Sequence, residues 1–195
     1  MNSAASLAAG LPVGRVTRVS VVLAAYAGPA LIVWAVIGLV LTALPIATVA
    51  LLAVAAYGLL YGLAEISGRS RPAVPGRNWQ VPQDMMIGAG SRRRLAVWGL
   101  ILGPGFLTRN PYAGFGMLPL LVASAGSAGA GIAMAALIGI AHGSGRGLAL
   151  LRDAASPAGD PFGMLLRSLR WRRLDGLALL IVAAVAVVCV HGRLG

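Results

Sequence analysis

The chain has 195 residues, of which 58% are hydrophobic and only 11% are charged. A water-soluble domain carries about 25% charged residues, so this composition excludes a soluble globule and predicts a single all-α membrane domain over residues 1–195. The net charge of +11 does not indicate nucleic-acid binding. The arginines flank apolar segments, as loop charges of membrane proteins do, so the predicted partner is the lipid bilayer.

Five membrane spans are predicted, the third of them broken. They cover residues 19–42, 45–66, 95–126, 128–150 and 174–191. The connecting loops 67–94 and 151–173 carry most of the arginines. Pro29 should kink the first span or place a turn in it, because proline lacks the backbone N–H of a regular helix.

The arginines also predict an orientation. Fourteen of the 16 basic residues fall on one side of the predicted spans, and basic loops stay in the cytoplasm. The N-terminus is then cytoplasmic and the C-terminus outside. We expect the first span to act as an uncleaved signal anchor, because the start of the chain lacks the early positive charge of a signal peptide.

A surface helix is predicted over Pro161–Arg173. Pro161 suits the first turn of a helix, and the apolar side chains that follow share one face. An amphipathic helix with arginines on its other face lies in the inner membrane surface and favours anionic lipid.

The third span carries the strongest functional signal. At 32 residues it would be roughly 48 Å long as one helix, against a hydrocarbon core of about 30 Å. Gly103, Pro104 and Gly105 predict a hinge, and Pro111 predicts that the helix restarts there. Backbone breaks inside a membrane only where protein or water satisfies the freed groups, so we expect the functional centre here.

Arg109 lies halfway along this span, between Thr108 and Asn110. An ionisable residue at membrane depth is costly and indicates function. Arg109 is a candidate to bind an anionic substrate, to cap the carbonyls opened by the break, or to reach the headgroups by snorkelling. Thr108 and Asn110 are candidates for ligand contacts or for satisfying the same backbone.

His142 and Arg146, one helical turn apart in the fourth span, form either a proton-linked gate or an ordinary interfacial pair. Glu65, at the inner end of the second span, is a candidate coupling-ion site, with Arg69 a candidate partner four residues on. We expect no metal and no cofactor, since two distant histidines with no acid inside the spans make a poor metal site.

Glycines recur at a spacing of four in three spans. They are Gly58 and Gly62, then Gly99 and Gly103, then Gly139, Gly143 and Gly147. Small residues at this spacing let helix backbones approach closely, because lipid supplies no hydrophobic drive for association. The pattern predicts a tightly packed bundle.

The segment 98–151 resembles the second half of the CcdA-type cytochrome c biogenesis membrane proteins, which are related to the transmembrane domain of the disulfide reductase DsbD. The resemblance rests on Gly103-Pro104-Gly105, on Pro111 to Ala125, and on the segment Ala141 to Arg146, which reads AHGSGR. It extends weakly over residues 18–190. It implies a helical bundle in a bacterial inner (plasma) membrane.

Two departures bear on function. The family has six spans, so its first helix is missing here, and its redox cysteines on the broken helices are absent. Thiol–disulfide exchange needs a thiolate and a disulfide, and Cys189 is alone. We therefore expect a non-enzymatic CcdA-like protein. It is either a small-solute transporter or the membrane subunit of a maturation or electron-transfer system.

The alternative is thiol–disulfide reductant transfer, with a partner supplying the second cysteine. The candidate protein partners are a membrane or periplasmic protein, which could also supply the missing helix, or a second copy of this chain. Replacing Cys189 by Ser would abolish activity only under this alternative.

Overall fold

The computed structural model describes residues 14–68, 90–106, 112–155 and 161–194. Within these ranges the chain is all-α and has no strand, as its composition predicts. The helices are α1 (Arg15–Thr42), α2 (Ala47–Ser67), α3 (Ser91–Leu102), α4 (Gly114–Ala123), α5 (Ala128–Ala155) and α6 (Pro161–Leu194). Most of the predicted loop 67–94 lies outside the described residues.

Four of these helices are long and apolar enough to cross a membrane. The apolar stretches are Val16–Thr42, Ala47–Ser67, Ala128–Arg152 and Ser168–Gly192, and about 20 residues suffice to span the hydrocarbon core. Large apolar side chains also point outward, among them Ile32 (66% exposed), Leu137 (68%) and Val188 (71%). A surface of this kind suits lipid rather than water. The protein is a multi-pass membrane protein.

The predicted third span is broken, and the prediction of a break at Gly103-Pro104-Gly105 is confirmed. Helix α3 begins at Ser91, four residues before the predicted start, and ends at Leu102, and the chain bends over residues 103–106. Helix α4 begins at Gly114 and has 10 residues. At 1.5 Å per residue the two helices are about 18 and 15 Å long, so neither crosses the hydrocarbon core alone.

The predicted surface helix and the predicted fifth span are one continuous helix, so their separation at residue 173 is wrong. Helix α6 has 34 residues and is about 51 Å long. Residues 164–175 contain neither proline nor glycine, and nothing in them stops a helix. The predicted start at Pro161 is confirmed. The predicted loop 151–173 is therefore too long. Helix α5 continues to Ala155 and α6 begins at Pro161.

Helix α1 runs unbroken through Pro29, so of the two predicted outcomes, a kink or a turn, the turn is absent. Proline has no N–H to donate to the carbonyl four residues earlier, which here belongs to Ala25. The helix continues at the cost of that one hydrogen bond.

The described residues form two compact units. The first unit contains residues 14–36, 90–106 and 135–155, and the second contains residues 37–68, 112–134 and 161–194. The first unit thus combines α3 with most of α1 and α5. The second combines α2, α4 and α6 with the ends of α1 and α5. Each unit holds one short helix beside two long ones.

Glycines bring α3 and α5 onto α1 in the first unit. A Cβ at Gly99 would overlap the Ala25 carbonyl oxygen, and one at Gly103 would overlap that of Tyr26. A Cβ at Gly143 would lie 2.6 Å from the Tyr26 carbonyl oxygen, and one at Gly139 would lie 2.7 Å from that of Ala30. Helix α3 is therefore parallel to α1, and α5 is antiparallel to it.

The second unit repeats this packing with α2 and α6. A Cβ at Gly58 would lie 2.6 Å from the Leu179 carbonyl oxygen, and one at Gly62 would lie 3.0 Å from that of Gly176. The methyl group of Met117, on α4, also reaches Gly58. The predicted tight packing through glycines at a spacing of four is confirmed in both units.

Candidate functional site

The break in the first unit is held by one tryptophan. The Trp34 indole Nε1–H donates a hydrogen bond of 3.2 Å to the Pro104 carbonyl oxygen. The Trp34 ring also packs on Phe106, with ring centroids 4.8 Å apart at 41°. Trp34 is completely buried, and buried indoles need a partner for their N–H. The side chain thus satisfies a backbone carbonyl of the bend that follows α3.

The backbone of the break is buried and shaped by glycine. Residues Gly103, Pro104 and Gly105 are all buried. Gly105 has φ 85°, a conformation that L residues with a side chain rarely adopt. The Gly103 N–H donates to the Gly99 carbonyl oxygen at 2.8 Å, which closes the last turn of α3. The predicted hinge is therefore a defined bend enclosed by protein.

His142 and Arg146 lie on the same side of this unit. The Arg146 Nε–H donates to His142 Nε2 at 3.3 Å, as their spacing of four predicts, and both side chains are half-buried. Gly143, next to His142, approaches the same Tyr26 carbonyl oxygen as Gly103 does. The structure thus brings the hinge and the helical turn that carries His142 and Arg146 to one residue of α1.

Four predicted site residues have no structural test. Thr108, Arg109, Asn110 and Pro111 lie outside the described residues, and so does Arg69. The three roles weighed for Arg109 stay predictions.

The start of α4 is held by two side chains in the second unit. Asp175 Oδ2 accepts a 3.0 Å hydrogen bond from the Gly114 N–H, and the Tyr57 hydroxyl donates a 2.8 Å bond to the Ala113 carbonyl oxygen. A carboxylate at a helix N-terminus satisfies an open N–H and opposes the positive end of the helix dipole. A Cβ at Gly114 would overlap Asp175, so glycine is required for this approach.

An ion pair lies beside this contact. Arg172 Nε is 2.6 Å from Glu65 Oε2, and the Glu65 side chain is not exposed at all, whereas that of Arg172 is 32% exposed. Gly176 allows α2 and α6 to meet here, since its Cβ would lie 2.9 Å from that of Glu65. Arg172 is thus a cation bound to Glu65, and the predicted roles of Glu65 with a coupling ion or with Arg69 stay predictions.

Sequence reasoning missed four residues of these sites. They are Trp34, Tyr57, Arg172 and Asp175. Each acts on a residue 56 to 107 positions away along the chain, which helical periodicity does not reveal. One signal was available. A tryptophan and a tyrosine inside apolar spans, and an acid at the end of a span, each require a polar partner, and broken backbone supplies such partners.

Comparison with protein-family models, with curated proteins and with solved structures finds no match. The CcdA resemblance therefore rests on the residues that suggested it.

The end of α3 and the start of α4 are held in the same way, by hydrogen bonds between side chains and backbone groups. Each end has its open backbone group satisfied by a buried or half-buried side chain from a long helix. The described residues contain a single cysteine, Cys189, exposed on α6.

Proposed function

We propose that this chain is a CcdA-like, non-enzymatic membrane protein that moves a small solute across the bilayer. The observation that supports it most is the buried break at Gly103-Pro104-Gly105. Irregular backbone persists at membrane depth where it is enclosed by protein or lines a cavity, and discontinuous helices form the substrate sites of many carriers.

In this proposal α3 moves about the bend at Gly105. Trp34 fixes one position of the bend through its bond to Pro104, and Asp175 fixes the start of α4 through Gly114. The solute is a small anion, and Arg109 supplies its charge partner. The protein lies in an inner (plasma) membrane with the N-terminus in the cytoplasm and the C-terminus outside.

The test is electrical detection of flux in proteoliposomes that contain the purified full chain. Chloride, sulfate, phosphate and acetate are the probes, each tested alone. We expect a current with at least one probe, which Arg109→Gln removes and Gly105→Ala reduces at least tenfold. Gly145→Ala is the matched control, because a Cβ at Gly145 meets no atom within 4 Å.

The second candidate function is a membrane subunit that anchors a partner, with the arginine-rich loops as the docking region. Its supporting observation is the start of α6, where Arg170, Trp171 and Arg173 are exposed. A gentle detergent pull-down with mass spectrometry separates the two candidates. A stoichiometric partner together with no current for any probe would overturn the carrier proposal in favour of this one.

The thiol–disulfide alternative has its own test. It predicts that Cys189→Ser abolishes function, whereas the carrier proposal predicts a flux equal to that of the unsubstituted chain.

A further inference from the structure

The N-terminal half of α6 carries two arginines on its exposed face. Arg170 and Arg173 are exposed, whereas Arg172 turns inward and binds Glu65. Residues three apart in a helix are neighbours on one face, so Arg170 and Arg173 share a face that Arg172 does not. The helix thus has one arginine that pairs within the second unit and two that face its surroundings.

An apolar stripe continues this exposed face towards the C-terminus. It begins four residues after Arg170, and its large side chains recur every three or four residues, which keeps them on one side of the helix. Each of them is between 47% and 71% exposed. They are Leu174, Leu177, Ile181, Val185 and Val188. Because α6 is apolar enough to cross a membrane, this stripe suits contact with the acyl chains of lipids.

The length of the apolar run relates the two arginines to the membrane surface. Residues 176–190 contain no arginine, histidine, aspartate or glutamate, and a helix needs about 20 residues to cross the hydrocarbon core. Counting that number back from residue 190, the core begins near Trp171. This tryptophan is 53% exposed, and tryptophan is enriched at the membrane–water interface. Arg170 and Arg173 therefore fit the level of the lipid phosphates.

We propose that Arg170 and Arg173 together bind the phosphodiester of an anionic phospholipid, whose acyl chains lie along the apolar stripe of α6. The guanidinium group donates two parallel hydrogen bonds to phosphate oxygens, and basic residues next to a membrane span attract anionic lipid. The site does not depend on the proposed transport function.

This site differs from the predicted surface helix. A helix lying in the membrane plane would spread its arginines over many headgroups. In the continuous α6 the same arginines end the lipid-facing stripe of a spanning helix. One lipid molecule can therefore contact both the arginines, through its phosphate, and the stripe, through its acyl chains.

The test is native mass spectrometry of the full-length protein in detergent, which measures the dissociation constant of the first lipid bound. The probes are phosphatidylglycerol and, as a zwitterionic comparison, phosphatidylcholine. We expect phosphatidylglycerol to bind more tightly. The variant Arg170→Gln/Arg173→Gln should weaken its binding about 25-fold, roughly fivefold for each arginine, and should leave the binding of phosphatidylcholine unchanged.

Arg93 on α3 and Arg152 on α5 provide a matched control. Both are exposed, and neither has another arginine three or four residues away. The variant Arg93→Gln/Arg152→Gln removes the same charge as the test variant without removing a pair from one helix face. We expect it to bind phosphatidylglycerol as tightly as the unsubstituted chain. A monodisperse elution profile and an unchanged melting temperature without lipid guard against loss by misfolding.

Three results would overturn the proposal. Equal losses for the two double variants would reduce the effect to diffuse surface charge. Equal affinity of the unsubstituted chain for both lipids would show that the phosphodiester charge is not recognised. Unchanged phosphatidylglycerol binding by Arg170→Gln/Arg173→Gln, together with loss of a protein that co-purifies with the unsubstituted chain, would assign this face to a protein partner.

Discussion

Single glycines determine how closely the helices of each unit approach. The Ala25 carbonyl has lost its helical donor to Pro29, and Gly99 lies against it. The glycine Cα–H groups offer this carbonyl a weak contact, which a larger residue would prevent. Pro29 in α1 thus frees a carbonyl oxygen, and Gly99 in α3 leaves room for the close approach to it.

We predict opposite effects for two glycine-to-alanine substitutions. Gly99→Ala should destabilise the protein by about 1–3 kcal/mol, because its methyl group would overlap the backbone of α1. Gly145→Ala should stabilise it by up to about 1 kcal/mol, because that position is open and alanine favours helix. Thermal unfolding in detergent measures both, and a loss at both positions would contradict this packing.

The Glu65–Arg172 pair should respond unequally to loss of either partner. Arg172→Gln removes the cation bound to a carboxylate that is not exposed at all, and should cost about 3 kcal/mol or more. Glu65→Gln leaves a guanidinium that is 32% exposed and can turn towards water, so its cost should be smaller. Melting temperatures of the two variants and of the double variant check this, and equal losses would count against it.

At the scale of helices, the two ends of the broken helix depend on side chains from long helices. These contacts explain why the end of α3 and the start of α4 each have a defined position within their own unit. Each of these hydrogen bonds can be removed by a substitution that leaves the packing around the side chain in place.

Trp34→Phe should loosen the bend without emptying the core. The variant keeps an aromatic ring against Phe106 but loses the donor to Pro104, which should cost about 1 kcal/mol. Hydrogen–deuterium exchange should quicken at the amides of Gly103 and Gly105 while α5 stays unchanged. Uniformly faster exchange across the unit would instead indicate general unfolding.

Asp175→Asn should weaken the attachment of α4. An amide oxygen can still accept from Gly114 N–H, but it loses the charge that favours the helix N-terminus, a change of about 1 kcal/mol. Exchange should quicken at Gly114 and the next turn. The matched variant Tyr57→Phe removes the other bond, to Ala113, and should add to the effect in the double variant.

The helices and the hinge could be predicted from sequence because both are local signals. Apolar runs of about 20 residues and the run Gly103-Pro104-Gly105 need no tertiary information. The end of the surface helix was misplaced, since a change from amphipathic to wholly apolar residues does not break a helix. The anchors Trp34 and Asp175 escaped prediction because their partners are backbone atoms, which carry no sequence signature.

At the scale of the whole molecule, the arginine distribution predicts the topology. A fluorescent protein fused to the C-terminus should stay dark in a bacterial host, and alkaline phosphatase fused there should be active, because the C-terminus is expected outside the cytoplasm. The same fusions at the N-terminus should behave in the opposite way. Fluorescence of the C-terminal fusion would reverse the proposed orientation.

The helices of the two units alternate along the chain. Helices α1, α3 and α5 mainly belong to the first unit, and α2, α4 and α6 to the second. During synthesis, which proceeds from the N-terminus, the first unit cannot close until α5 has been made. The contacts of Glu65, Gly58 and Gly62 on α2 form later still, because their partners lie on α6. Biogenesis of this protein therefore requires half-assembled helices with a buried acid to persist in the membrane, and a chain cut after residue 155 should be a target for quality control.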